Sequence, residues 1–331
     1  MSVHAVPDLD LRLRPFAGEA DIPHLVRLVN ADAEADGVPS RRSEADMLAW
    51  ARHPTESSDP ARDVIVAEID GRPIGYAEKG WVDNSDNESR EYWVGGALLP
   101  EWRRRGIGTI LLLVAEKQAR ELAASHVTER RQLLGSWSSD RQDGRVALLR
   151  KHDYQPARYF FEMTRALSEP ISDVPLPDGL EMRPLTAETV RQAWAAISEA
   201  FMDHWGGFDT SDQELEQWMS NPNFDLSLWL VAWDGDEVAG GVANQINREE
   251  NEALGVQRGW LETVFTRRPW RKRGLANALI ARSLIALRDR GLEFGILGVD
   301  ADNPTGALGV YERNGFKVAE RSTAWRKPLE V

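Results

Sequence analysis

The sequence contains one local pattern twice: an apolar strand, a basic glycine-containing loop and a helix. The loops read Pro100-Glu-Trp-Arg-Arg-Arg-Gly-Ile-Gly108 and Arg268-Pro-Trp-Arg-Lys-Arg-Gly-Leu-Ala276. Both fit Arg-x-x-Gly-x-(Gly/Ala), and a repeat of this kind indicates two copies of one folding unit. The length of 331 residues also fits two domains. The pattern therefore predicts an internally duplicated protein.

The elements around the two loops occur in the same order in each half. An Asp-Gly turn at 70–71 and another at 234–235 each separate two apolar runs, which predicts a β-hairpin in each half. Helices are predicted over 107–122 and 275–290, followed by strands over 131–137 and 294–299. A last helix and strand are expected to close each half. The proline-rich run 167–179 is typical of a linker, so we predict domains at 1–168 and 169–331.

The repeated loop has the chemistry of a phosphate site. Backbone N–H groups at a helix start point outward and bind anions. Glycine at 106 and 274 lets a phosphate approach the backbone, and the small residues at 108 and 276 keep the helix start uncrowded. The loops match neither the dinucleotide fingerprint nor a Walker motif. They predict binding of a phosphorylated cofactor.

Composition narrows the function classes. The chain has no cysteine, which excludes disulfides, zinc–thiolate sites and cysteine nucleophiles. Its net charge of −13 disfavours a general nucleic-acid binder. It contains no apolar run long enough to span a membrane. We expect a cytoplasmic protein with no metal, no nucleic-acid partner and no membrane partner.

The end of the second half carries the most specific motif. It reads Val299-Asp-Ala-Asp-Asn-Pro-Thr-Gly-Ala-Leu-Gly-Val-Tyr-Glu-Arg-Asn-Gly-Phe316. Asn303 and Pro304 are predicted to begin a helix, and Asn314-Gly315 to end it, with Tyr311 inside. Together with the loop, this motif resembles the GCN5-related N-acetyltransferase (GNAT) superfamily over nearly the whole chain. Among tandem members, the layout is similar to that of the mycothiol synthases.

The resemblance implies a fold and a cofactor. The fold is α/β, with two tandem domains, each a twisted mixed sheet that is splayed between its fourth and fifth strands to admit acetyl-CoA. The resemblance implies that CoA contacts the second loop and the strand before it, at Arg271, Lys272, Arg273, Gly274, Leu275, Ala276, Val264, Phe265 and Thr266. Asn303 matches a position that contacts the cofactor arm, and a helix cap is its alternative role. The corresponding residues of the first half are Leu98, Arg103, Arg104, Arg105, Gly106, Ile107 and Gly108.

The resemblance also implies catalytic residues. Tyr311 matches the general acid, because a phenol can give a proton to the departing thiolate; its alternative is a partly buried aromatic. Glu262 matches the usual base position, and its alternative is a solvent-facing strand residue with water taking the proton. Asp203, His204 and Trp205 follow a helix and could reach the substrate pocket, although a lone histidine is more often structural.

The first half departs from this motif. With Tyr154 aligned on Phe316, Leu149 stands opposite Tyr311, and leucine cannot donate a proton. Val94 stands opposite Glu262, and the nearby Glu91 lies in the other pleat phase. The first half is therefore predicted to bind CoA without catalysis, or to act as a scaffold.

Three functions fit these observations. The first is acetyl transfer from acetyl-CoA to a small-molecule primary amine by the second domain. The second is a mycothiol-synthase-like acetylation of an amino-sugar–cysteine conjugate. The third is a CoA-binding sensor without turnover. The sequence does not determine the oligomeric state, and a monomer is compatible with it because the tandem mimics a dimer.

Overall fold

The chain forms two compact units, each built from more than one stretch of sequence. A computed structural model describes residues 10–84, 88–202, 204–206, 208–303 and 306–330. Unit 1 contains Met1–Ala157, Ser211–Pro222 and Thr323–Val331, and unit 2 contains Arg158–Thr210 and Asn223–Ser322.

Unit 1 is a mixed sheet covered by helices. Its elements are β1 (Leu11–Pro15), α1 (Ile22–Ala35), α2 (Glu44–Arg52), α3 (Pro60–Asp63), β2 (Val64–Ile69), β3 (Arg72–Asp83), β4 (Ser89–Leu98), α4 (Ile107–Ser125), β5 (Arg131–Ser139) and α5 (Asp143–Lys151). The strand order is β1-β2-β3-β4-β5, and only the β4–β5 pair among these is parallel. The apolar face of α4 packs on this sheet through Ile107, Leu111 and Ala115.

Unit 2 repeats this arrangement. Its elements are β6 (Gln155–Ala166, from Arg158 onward), β7 (Glu181–Arg183), α6 (Val190–Phe201), β8 (Trp229–Asp234), β9 (Glu237–Gln245), α8 (Arg248–Leu254), β10 (Arg258–Thr266), α9 (Leu275–Arg288), β11 (Phe294–Asp300), α10 (Ala307–Arg313) and the start of β12 (Lys317–Pro328). The remaining helix, α7 (Asp212–Ser220), belongs to unit 1. The strand order is β6-β11-β10-β9-β8-β7, with β10–β11 parallel.

The last strand of each half lies in the other unit, which differs from the sequence expectation. Within unit 2, β11 pairs along Phe294–Asp300 with residues 160–166 of β6. Within unit 1, the end of β12 lies next to β5, where Trp325 is buried and donates its indole N–H to Ser138 Oγ at 2.9 Å. Strand pairing is set by non-local edges, and sequence order does not reveal which edge a strand will find. The boundary at residue 168 stays a prediction.

Each sheet opens where its two parallel strands part. In unit 2, β10 and β11 pair only over Arg258–Trp260 and Phe294–Ile296, although both strands run further. In unit 1, β4 and β5 pair over Ser89–Trp93 and Arg131–Gly135. Beyond these residues, the two strands of each pair no longer hydrogen-bond to each other in the sheet pattern. Each unit therefore has a V-shaped opening beside its glycine-containing loop.

Most local predictions match the structure, with one correction. Asp70 and Gly71 both have positive φ, as a tight hairpin requires, and Gly315 ends α10 at φ 82°. Asn303, however, does not begin a helix: α10 starts at Ala307, and its N-cap is Gly306. Pro304 lies outside the described residues. Within the part of the chain that the structure describes, no helix is long and apolar enough to cross a membrane.

Candidate functional site

The two glycine-containing loops have the same backbone conformation. Arg104 and Lys272 have φ of 63° and 62°, and Gly106 and Gly274 have φ of 84° and 89°. Each glycine is the N-cap of the following helix and provides no side-chain cap. The first amides of α4 and α9 are therefore left for an external acceptor. Alternation of ordinary and left-handed residues turns successive N–H groups inward, which is an anion-binding geometry.

Each loop combines one side chain buried in the core with two exposed, positively charged side chains. Leu275 is buried in the core of unit 2, as Ile107 is in unit 1, so these two residues can offer a ligand only their backbone. Lys272 and Arg273 are exposed, as are Arg104 and Arg105. The exposed cations surround the amides and favour a phosphate group.

The first arginine of each loop is engaged with the protein. Arg271 donates from Nε to the carbonyl of Thr266 at 2.9 Å, and so ties the loop to the end of β10. Arg103 forms ion pairs of 2.7 Å with Asp32 and Asp36. Both guanidinium groups hold the loop in shape, so the phosphate contacts predicted at these positions fall to their backbone.

In unit 1, a cleft of about 540 Å³ joins the loop to the sheet opening. It brings together five of the residues predicted from sequence, namely Leu98, Arg103, Arg104, Gly106 and Gly108. Arg105 and Ile107 are not part of its lining: Arg105 lies over the Trp102 ring at 4.9 Å, and Ile107 is in the core.

In unit 2, the strand leading to the loop has an irregularity at Glu262. Leu261 pairs with Asn244 of β9 and Thr263 with Ala243, so Glu262 is the extra residue of a β-bulge. Its side chain is exposed. Bulges re-aim a side chain relative to the regular pleat, and they are frequent beside active sites. Burial alternates along this strand, so the exposed Glu262 lies on the opposite face from the buried Leu261, Thr263 and Phe265.

The residues predicted to contact the cofactor arm follow the bulge. Val264 and Thr266 are half-buried and lie on one face of β10, while Phe265 is buried on the other. The Thr266 hydroxyl is buried and has no hydrogen-bond partner among the described residues. On this stretch β10 pairs only with β9, because β11 has diverged. Its other edge can therefore hydrogen-bond a chain-like ligand.

Tyr311 lies on α10, in the core cluster of unit 2. It is 7% exposed, and its ring meets Phe316 edge-on at a centroid distance of 6.0 Å. Burial raises the pKa of the Tyr311 phenol well above its ordinary value of 10. The hydroxyl consequently stays protonated at physiological pH, as a proton donor must.

Two asparagines join the helix of Tyr311 to the loop helix. Asn314 Nδ2 donates to Asn277 Oδ1 at 2.6 Å and to the carbonyl of Val310 at 2.9 Å. Asn277 lies in the first turn of α9, directly after the loop. The pair therefore fixes α10 against α9, the helix that begins at the glycine-containing loop. Sequence reasoning used Asn314 only as a helix terminator and missed this contact.

The third predicted group is only partly described. Asp203 lies outside the described residues. His204 stacks on Phe201 at 4.1 Å, and Trp205 lies 6.0 Å from Phe160 of β6. These contacts form an aromatic patch of unit 2.

Arg158 links that patch to the end of β11. It hydrogen-bonds both carboxylate oxygens of Asp300 and the carbonyl of Asp302, and it lies 5.9 Å from the Trp205 ring. Asn303 follows directly, and its N–H donates to the Asp300 carbonyl at 3.2 Å. Sequence reasoning missed Arg158, because it precedes the linker and was assigned to the other half.

Unit 1 lacks the corresponding groups. Leu149 is buried in the core at the position that matches Tyr311, and Asp153, opposite Gly315, has the same left-handed backbone, which supports the alignment. Val94 pairs in regular register with Lys79, and no bulge interrupts β4 there. Glu91 is buried and bonded to Arg326 at 2.5 Å.

The comparisons with known sequences agree with this geometry. The acetyltransferase (GNAT) family model matches residues 25–132 and again 194–316. A mycothiol acetyltransferase of Geodermatophilus obscurus is 31% identical, and the match covers 97% of each chain. A mycothiol acetyltransferase of Salinispora arenicola is also 31% identical, over 89% of this chain and 90% of the relative.

Solved structures show the same tandem arrangement. A GCN5-related N-acetyltransferase from Sphaerobacter thermophilus superposes with a TM-score of 0.72 at 26% identity, covering 98% of this chain and 97% of that one. A tandem GNAT protein from the clavulanic acid biosynthesis pathway gives a TM-score of 0.70 at 17% identity, covering 96% and 98%. The prediction of an α/β fold with two GNAT-like copies is confirmed.

Proposed function

Because the chain belongs to the acetyltransferase (GNAT) family and is an acetyl-CoA-dependent acyltransferase, we propose that unit 2 acetylates the primary amine of a small molecule. The observation that carries this proposal is the position of Tyr311. Its buried, protonated phenol lies on α10, which is hydrogen-bonded to α9, the helix that follows the glycine-containing loop. Unit 1 has Leu149 at the matching position. Unit 2 thus combines an anion cradle with a proton donor.

The residues of unit 2 fit the cofactor that the family uses. The exposed loop at Gly274, with uncapped amides and two exposed cations, suits a pyrophosphate. The free edge of β10 at Val264 and Thr266 suits an amide-containing arm. When bound, acetyl-CoA supplies the thioester that an amine attacks.

We assign a separate role in the reaction to each of three groups of unit 2. A backbone N–H at the bulged part of β10 can donate to the oxygen on which charge develops. Tyr311 gives its proton to the leaving sulfur. The exposed Glu262 takes the proton of the ammonium directly, or through a water molecule. Both routes require the Glu262 carboxylate to be ionised.

The acceptor proposed is an amine attached to a polar, sugar-like body. Two near full-length relatives are named mycothiol acetyltransferases, which favours an amino-sugar–cysteine conjugate as a second, more specific candidate. The Trp205–Phe160 patch offers aromatic faces on which such a body can pack.

A screen of acetyl-CoA consumption tests the proposal. Simple amines, polyamines, aminoglycosides and the amino-sugar–cysteine conjugate are compared at equal concentration. Turnover of simple amines supports an acetyltransferase for small-molecule amines in general. Turnover of the conjugate alone supports a mycothiol-synthase-like enzyme. Binding of acetyl-CoA without turnover of any amine would contradict both and would indicate a sensor.

A valine at Gly274 is expected to weaken acetyl-CoA binding by unit 2. Nothing lies within 4 Å of a Cβ at this position, but φ is 89°, where a β-branched residue is strained by about 1–2 kcal/mol. If the backbone at position 274 shifts to relieve that strain, the first N–H groups of α9 no longer point toward the phosphate. The KM for acetyl-CoA should then rise roughly tenfold or more. The measurement is initial rate against acetyl-CoA concentration.

Gly106→Val is the matched control, because Gly106 has φ 84° and the same role in unit 1. It should leave the KM within about twofold. Equal effects of the two variants would indicate that unit 1 supplies the cofactor for turnover.

A further inference from the structure

The Tyr311 phenol of unit 2 is held in place without a hydrogen bond of its own. Among the described residues its hydroxyl has no hydrogen-bond partner, and burial is the one cause that raises its pKa. Its ring packs edge-on against Phe316 at 6.0 Å. The direction of the hydroxyl is therefore set by the position of α10. Because a proton donor must lie within about 2.6–3.2 Å of the atom that it protonates, a shift of α10 changes the rate of proton transfer.

Two side-chain contacts hold the end of α10 that lies next to Tyr311. This helix is short, Ala307–Arg313, which is about two turns. Arg165 of β6 donates from Nε to the carbonyl of Asn314 at 2.7 Å. The side-chain amide of Asn314 donates to Asn277 Oδ1 at 2.6 Å. Asn314 follows Tyr311 by about one helical turn, so both contacts act close to the phenol.

One of these two contacts also occurs in unit 1. In the alignment of the two halves, Lys327 of β12 corresponds to Arg165 of β6, and His152 corresponds to Asn314. Lys327 Nζ donates to the carbonyl of His152 at 3.1 Å. A cation of β6 or β12 thus holds the C-cap carbonyl of α10 or α5. This contact is a feature of the fold and does not depend on whether a unit has a tyrosine.

The asparagine pair, in contrast, has no counterpart in the described part of unit 1. Thr109 is the third residue of α4, as Asn277 is of α9, and His152 stands at the position of Asn314. Thr109 and His152 form no hydrogen bond with each other, and His152 Nε2 is buried without a partner among the described residues. Leu149 transfers no proton and needs no exact placement. Within the described residues, the pair therefore occurs only in the unit that has the tyrosine.

We propose that Asn277 is a positioning residue for acyl transfer in unit 2, and that it acts through Asn314 to hold the Tyr311 phenol in reach of the leaving sulfur. The inference rests on the proposed role of Tyr311 as the general acid. Asn277 lies in the first turn of α9, directly after the glycine-containing loop. The helix start that is proposed to bind the cofactor phosphates thus also carries the contact that places the acid.

A double-mutant cycle on the full-length protein tests the proposal with an amine that the parent acetylates. Asn277→Ala should lower kcat about tenfold, since a misplacement of about 1 Å can cost up to about a hundredfold in rate. The KM for acetyl-CoA should stay within about twofold. The double variant should be only as slow as Tyr311→Phe, because without the hydroxyl there is nothing to position. A kcat of Asn277→Ala equal to that of the parent, or a further tenfold loss in the double variant, would overturn the proposal.

A conservative variant and a matched control accompany the cycle. Asn277→Asp keeps an accepting oxygen, so it should restore kcat to within about threefold of the parent, while its negative charge beside the loop raises the KM for acetyl-CoA. Thr109→Ala changes the same position of α4 in unit 1 and should leave kcat and KM unchanged. An Asn277→Asp protein as slow as Asn277→Ala would contradict a role for the hydrogen bond. Circular dichroism checks that each variant is folded.

NMR of the protein without substrate gives a readout that does not depend on activity. The chain has five tyrosines, so ¹³C labelling at Cζ gives five signals, and Tyr311→Phe identifies that of Tyr311. Asn277→Ala should shift or broaden this signal and leave the other four in place, because it releases α10. An unchanged signal would overturn the positioning role even if the proposed function holds. If the signal changes but Tyr311→Phe is as fast as the parent, the general-acid assignment fails and this proposal falls with it.

Discussion

Replacing Tyr311 by phenylalanine is expected to lower acetyl transfer by ~10²-fold or more, with acetyl-CoA affinity kept, because general-acid catalysis contributes that much. The substitution removes one oxygen and keeps the ring that packs on Phe316, so the fold should persist. The measurement is kcat for acetyl transfer, together with a calorimetric Kd for acetyl-CoA.

Tyr159→Phe is the matched control, since Tyr159 is a 38% exposed tyrosine in the same unit and its ring lies against Arg321. It should leave the rate unchanged. A Tyr311→Phe enzyme that works as fast as the parent would show that another group protonates the sulfur.

The pH profile gives an independent expectation for Tyr311. The protonated phenol is the active form, and burial raises its pKa, so ionisation moves to higher pH and not lower. The rate should therefore show no loss from Tyr311 up to about pH 10, the ordinary pKa of tyrosine. An alkaline loss of activity below pH 10 that disappears in Tyr311→Phe would contradict this assignment.

The second large effect concerns β6, which precedes the linker in sequence but belongs to unit 2 from Arg158 onward. A fragment of residues 169–331 should fail to fold, whereas residues 158–331 should fold as unit 2. The shorter fragment lacks β6, which pairs with β11 over seven residues, and so it loses two fully buried core residues, Met163 of β6 and Leu167 directly after it. Loss of one such side chain costs about 2–5 kcal/mol, and a domain is stable by only about 5–15 kcal/mol. Urea unfolding followed by circular dichroism distinguishes the fragments.

The two fragments share their C-terminus, so they differ only in residues 158–168. Cooperative unfolding of both at the same urea concentration would show that unit 2 does not need β6. In the full-length chain, Met163→Ala should destabilise unit 2 by about 2–5 kcal/mol. That variant tests the same contact without truncation.

Much of the local structure follows from the sequence. The hairpin turns at Asp70 and Asp234, the loop helices and the terminator at Gly315 depend on neighbouring residues, whose φ preferences and periodicity are readable directly. The prediction that α10 begins at Asn303 was wrong. Asparagine and proline are common at the start of a helix, but they are also common in a loop that leads to a helix. The helix begins only at Ala307, after Gly306.

Contacts between residues that are far apart in the sequence could not be predicted from local patterns. Arg145 matches an ordinary helix position, and only the strand divergence shows that it bridges Gly96 and Trp137. Glu78 reads as a charged residue on a strand, and only the tertiary structure shows that it lines a cavity together with Trp93 and Trp137. Glu262 becomes the bulge residue through its pairing with β9.

The sequence by itself determined the duplication, the two glycine-containing loops and the family, because each depends on short motifs with local conformational causes. The tertiary structure alone decided which strand completes which unit and how the two openings differ. Strand edges pair wherever a complementary edge is presented, however far along the chain it lies. Trp325, near the C-terminus, therefore packs in the core of unit 1, and Met163, from the first half, packs in that of unit 2.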